Sequence, residues 1–161
     1  MYIFTTHFYS TLLNEGVGAV SRWTTKKGLD IFTKKMLFIT VNLNGHWSIM
    51  AVFNAGMMNA DLVEDDSEDP YELEVPTLIF LDSLKLHDAA VISRNIRPWL
   101  NHEWDKKYSL TNCRIFNEQS MQLFRPSGKY FAFIMYYQLL KRCLLTNTSL
   151  HSFPISSSST N

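Results

Sequence analysis

The segment MLFITVNLNGHWSIMAVFN, residues 36 to 54, constrains the fold more than any other part of the chain. Two runs of strand-forming residues, Met36 to Val41 and Trp47 to Phe53, flank a stretch in which Asn42, Asn44 and Gly45 carry turn propensity. This pattern predicts a β-hairpin that delivers His46 to the start of its second strand, with Trp47 beside it. A lone histidine is ordinarily a hydrogen-bonded structural residue. What His46 does therefore depends on what the rest of the chain brings to it.

At 161 residues the chain has one domain's length, and with 46% hydrophobic and 14% aromatic residues it can bury a core without disulfides or metals. Lys plus Arg and Asp plus Glu both number 15, so no global basic surface for nucleic acid exists, and no global acidic one. Cys113 and Cys143 are too few and too far apart for a disulfide framework. No C-x-x-C spacing suggests zinc, so neither metal nor cofactor is expected, and a reducing interior compartment is the default. The N-terminus MYIFTTHFYST lacks the basic head and apolar run of a signal peptide. The longest apolar run, Tyr130 to Tyr137, falls well short of the roughly 20 residues of a membrane span. The expectation is an intracellular monomer with neither a nucleic-acid nor a membrane partner.

Phe4, Phe8, Leu12, Leu13 and Val17 recur at helical spacing, which predicts a helix over residues 6–20 with Thr5 or Thr6 as N-cap, weakened by Gly16 and Gly18. The basic stretch from Ser21 to Lys35 reads as a solvated loop anchored by Trp23 and Phe32. Asp61 to Val75 holds eight of the 15 acidic residues. Mutual repulsion and low apolar content make it an exposed loop, or alternatively a contact for a basic partner. PTLIFLDS, residues 76–83, reads as a buried strand with Asp82 at its C-terminal edge. A helical period runs next over His87 to Trp104, which Pro98 should kink or restart. Ser109 to Phe116 suits a further strand, and Gly128 to Leu145 a buried helix. The closing segment, residues 146–161, is a serine-rich tail expected to be disordered.

If the strands carrying His46 and Asp82 pair, the two side chains become neighbours. A carboxylate that accepts from one imidazole nitrogen fixes the tautomer and supports the imidazolium, leaving the other nitrogen to take a proton from a nucleophile. With cysteine as third member, the histidine also stabilises the thiolate.

The segments FYSTLL, VSRWTTK, IFTKKMLFITVNLNGHWSIMAV and LIFLDSL, spread over roughly the first hundred residues, resemble the Ulp/SENP family of cysteine peptidases, which process SUMO and related ubiquitin-like modifiers. The resemblance implies an α+β, papain-like peptidase core with a small central mixed sheet and packed helices, spanning residues 1–145 and clipped at both ends. It implies His46 as catalytic base, Asp82 as the acid that orients it, and Trp47 in the narrow tunnel that receives a modifier's Gly-Gly tail. SUMO or another ubiquitin-like modifier would be the partner, and the nucleus the family's expected location.

After about Asp105 the resemblance fades. The family's nucleophile lies in an Asp-Cys-Gly sequence that opens a helix, and here Phe131 occupies the expected position, where a phenyl ring can neither attack a carbonyl nor pair with His46. Cys113 lacks a following glycine and a helix N-terminus to acidify its thiol, and Cys143 lies late in an apolar helix beside Lys141 and Arg142. Cys113 is the better placed substitute. Gln119 and Gln122 are near the place of the family's oxyanion-stabilising glutamine, but in the wrong local context. The alternatives are a peptidase using an unusual cysteine, an inactive modifier-binding pseudo-peptidase, and a fragment without activity of its own.

Overall fold

The hairpin forms the middle of the sheet. In the computed structural model, which describes residues 1–57, 76–108 and 115–126, β2 (Met36–Leu43) and β3 (His46–Phe53) pair antiparallel from Met36↔Phe53 to Leu43↔His46. The turn is the two residues Asn44 and Gly45, both at positive φ (53° and 74°), the conformation that gives a tight hairpin its twist. Asn42 belongs to the strand instead, opposite Trp47.

β4 (Thr77–Leu81) pairs antiparallel with β3, so Asp82 comes directly at the end of a strand adjacent to the one that His46 begins. Two short strands complete the mixed sheet in the order β1-β2-β3-β4-β5: β1 (Tyr2–Ile3) runs parallel to β2, and β5 (Gln122–Phe124) parallel to β4. Neither carries a legible sequence signal, because two or three residues cannot display an alternation.

The expected helix over residues 6–20 is two helices, α1 (Phe8–Glu15) and α2 (Val17–Lys26). Gly16 separates them at φ 81°, ψ 180°, a backbone conformation open essentially to glycine alone. The N-cap of α1 is His7, and neither threonine caps it by side chain. The first six residues of the expected basic loop are therefore helical: Ser21 to Lys26 continue α2. Phe32 does anchor the remainder of that loop, with its ring 4.9 Å from Trp104 and stacked 5.9 Å from Phe116.

The third helix, α3 (Ala89–Tyr108), passes through Pro98 uninterrupted. Pro98 is exposed, whereas its neighbours Arg97 and Trp99 are buried. On the solvent face the carbonyl left without an N–H partner by proline can bond water. Phe116, expected in a strand, is a buried loop residue whose N–H donates to Asn101 Oδ1 at 2.6 Å.

The largest apolar cluster lies on one face of the sheet. Leu37, Ile39 and Val41 of β2, Met50 and Val52 of β3, and Leu78 and Phe80 of β4 point into a common cluster with Phe8 and Leu12 of α1 and Ile92, Ile96, Trp99 and Leu100 of α3. Trp99 packs edge-on to Phe4 (5.3 Å) and Phe8 (4.9 Å), which binds the start of the chain to α3. Among the described residues no helix is long and apolar enough to cross a membrane. The acidic stretch 61–75, both cysteines, Phe131, the expected helix over residues 128–145 and the serine-rich tail lie outside the described residues.

Candidate active site

Alternation along the strands dictates where the polar groups go. His46 and Ser48 continue the face occupied by Met50 and Val52, and Asp82 continues that of Leu78 and Phe80. The three side chains thus gather at the end of the sheet, beyond the last apolar layer.

His46 Nε2 lies 2.6 Å from Asp82 Oδ1, with the carboxylate side chain only 3% exposed and the imidazole 15%. An ionised carboxylate can only accept, so Nε2 carries the proton and Nδ1 of the neutral ring holds a lone pair. The loop after β4 folds around the acid: the amides of Leu84 and Lys85 each donate to Oδ1 at 3.0 Å, and the amide of His87 donates to Oδ2 at 2.8 Å. Lys85 takes a left-handed conformation (φ 55°) in the course of that wrap. Burial alone would push the Asp82 carboxyl up, but the His87 amide, the His46 ring and the Leu84 amide outweigh it and hold the group at about 2.

His87 was not visible from sequence as part of this cluster. Its ring stands edge-on to that of His46, with centroids 4.7 Å apart and planes at 62°. Its only sequence signal was a histidine next to a helix-capping aspartate: Asp88 Oδ1 accepts from the amide of Ala90 at 2.8 Å and starts α3. Among the described residues His46, Asp82 and His87 are the one group that could hold a metal ion, with donor atoms within 4.8 Å of one another. The carboxylate and both nitrogens of His87 are already hydrogen-bonded, so the cluster is a polar network as it stands.

Trp47 projects from the opposite face of β3 to His46 and is 51% exposed. Gln122 pairs with Thr77 at the far end of β4 from Asp82, roughly 17 Å away at the rise of a strand. Gln119 lies in the turn before it, so neither glutamine is part of the cluster. Cys113, Phe131 and Cys143 are not among the described residues.

The hairpin thus holds His46 against Asp82, the residue directly after the next strand. Residues 1–130 match the family model "Ulp1 protease family, C-terminal catalytic domain". The chain belongs to the Ulp1 protease family. It is 34% identical over 117 residues, 70% of its own length, to the "Probable ubiquitin-like-specific protease 2A" of Arabidopsis thaliana. It spans only 14% of that relative's length. The same fold is seen in a solved de-sumoylating protease (TM-score 0.57, 19% identity), over 92% of this chain and 52% of that one. It recurs in the C-terminal Ulp1 protease domain in complex with Smt3, the yeast ortholog of SUMO (TM-score 0.51, 18% identity), over 86% and 57% of the two chains. The α+β peptidase fold expected from sequence is thereby established for this Ulp1-family chain.

Proposed function

We propose that this chain engages SUMO or another ubiquitin-like modifier on the Ulp1-type fold, with His46 as base, Asp82 as its orienting acid and Trp47 against the modifier's C-terminal tail. The observation that carries this reading is the 2.6 Å His46–Asp82 bond, which leaves Nδ1 as the working nitrogen. In a complete cysteine peptidase, Nδ1 would accept the thiol proton. Asp82 would then support the imidazolium, and the thiolate would attack the carbonyl of the scissile bond. In this sequence the place of the nucleophile falls on Phe131, which has no proton to give. The reading favoured is therefore a binding member of the family without hydrolysis. Turnover by Cys113 is the second reading, which the intact dyad favours.

A SUMO titration monitored by fluorescence anisotropy, together with a SUMO-based fluorogenic substrate, separates the outcomes. Saturable binding without turnover is the expected result. Thiol-dependent turnover that disappears in Cys113→Ala establishes the second reading, and neither binding nor turnover overturns both. Truncating Trp47 to alanine should weaken modifier binding by about thirtyfold, the roughly 2 kcal/mol of an interface hot spot, while leaving the fold intact.

A further inference from the structure

His87 belongs to neither half of the His46–Asp82 pair, yet it touches both. Its amide donates to Asp82 Oδ2 at 2.8 Å, and its ring stands against that of His46 at 4.7 Å between centroids. The ring is itself held at both nitrogens. Nε2 lies 3.1 Å from the Leu43 carbonyl, and Nδ1 lies 2.7 Å from Ser48 Oγ. A carbonyl oxygen only accepts, so Nε2 carries the proton, and Nδ1 of the neutral ring accepts from the Ser48 hydroxyl.

The two partners come from opposite arms of the hairpin tip. Leu43 ends β2 directly across from His46, and Ser48 is two residues along β3 on the same face as His46. His87 itself stands one residue before Asp88, the cap of α3. Through one imidazole, then, the hairpin tip that carries the base is tied to the helix and to the loop that carries the acid. A serine bonded to a histidine that is bonded in turn to a fixed acceptor also has the form of a nucleophile with its base. Ser48 is 3% exposed, however, which keeps an acyl carbon away from its oxygen and leaves the array a strut.

The geometry points to His87 as a positioning residue that fixes His46 in the Nε2–H form with Nδ1 open, by locking the hairpin tip to the Asp82 loop. This builds on the proposed function in taking Nδ1 of His46 as the working nitrogen. Without the lock, the His46 ring can turn about its side-chain torsions and exchange its carboxylate bond with water. Residues that hold a catalytic group through their own hydrogen bonds set its orientation without touching substrate.

The test is the tautomer of His46, read on the full chain labelled with 15N by long-range correlation of the imidazole nitrogens and by exchange of the Nε2–H proton with water. In the wild-type protein His46 gives a single pattern, protonated at Nε2 and bare at Nδ1. His87→Phe retains a flat ring and removes both ring bonds, and should replace that pattern by an averaged one, with exchange faster by roughly five- to tenfold, the effect of losing one ordinary hydrogen bond. His87→Gln can donate to the Leu43 carbonyl and accept from Ser48, and should restore the single tautomer. A merely structural role would lower the melting temperature of both variants and leave the tautomer alone. A folded His87→Phe protein that retains the wild-type pattern overturns the inference. Should His87→Phe not fold, Ser48→Ala removes one of the two bonds, and unchanged exchange at His46 in that variant is equally decisive. The measurement uses no modifier, so failure to bind SUMO sinks the proposed function and leaves this inference standing, and the reverse also holds.

Discussion

Asp82 accepts from His46 and from three backbone amides, those of Leu84, Lys85 and His87, so a single carboxylate serves both the dyad and the loop. Its folded value of about 2 lies below the ordinary 3.8. The sign comes from linkage: a depressed carboxyl contributes stability that is fully present above pH 3.8 and is lost as the pH falls from there through about 2. Replacing Asp82 with asparagine should therefore destabilise the protein at neutral pH by about 1–3 kcal/mol, since an amide cannot satisfy every donor around it. The gap in melting temperature between wild type and Asp82→Asn should close between pH 4 and 2, and a constant gap would refute the assignment. At this scale the sequence was most legible where residue and strand end coincide. His46 and Asp82 could be paired because each bounds an apolar run. His87 could not, because its role depends on a loop whose course is set by the amides around Asp82.

The elements show where local signals mislead. The alternation of Met36–Phe53 and the Asn-Gly turn made the hairpin plain, since one buried face and a two-residue turn leave a single register. The helix expected over residues 6–20 misled because Gly16 interrupts the chain without interrupting the apolar period: Phe8 and Leu12 are buried, while Leu13 is 43% exposed. Pro98 misled in the other direction. The buried Ile96, Trp99 and Leu100 hold α3 together across a residue that an isolated helix would not tolerate. Pro98→Ala restores the N–H that Arg94's carbonyl lacks and should raise stability by roughly 1–3 kcal/mol, read as a higher denaturant midpoint at unchanged slope. A lower midpoint would mean that the proline ring itself packs.

At the largest scale, among the described residues, α3 joins several distant parts of the fold. Its N-terminus meets the loop after β4, Trp99 holds the start of the chain, and Arg97, also bonded to Ser93 Oγ at 3.0 Å, donates at 2.9 Å to the carbonyl of Met121, the residue just before β5. The Arg97 guanidinium is pushed below its usual value by burial, which the Glu118 carboxylate partly offsets. Arg97→Ala strands a buried carbonyl and removes a packed stem, so a loss of about 2–4 kcal/mol is expected from chemical unfolding, with amide exchange accelerated first in β5. Uniform acceleration across the sheet would contradict this local role. Long-range ties of this kind leave no period in a sequence, which is why the two flanking strands and the packing of α3 were not legible while the central hairpin was. The wrap of backbone amides around Asp82 also bears on descent. A lineage that gave up hydrolysis would still gain stability from this aspartate, whereas His46 donates a single hydrogen bond to it and holds no backbone amides. Among non-hydrolytic relatives the acid should therefore outlast the histidine.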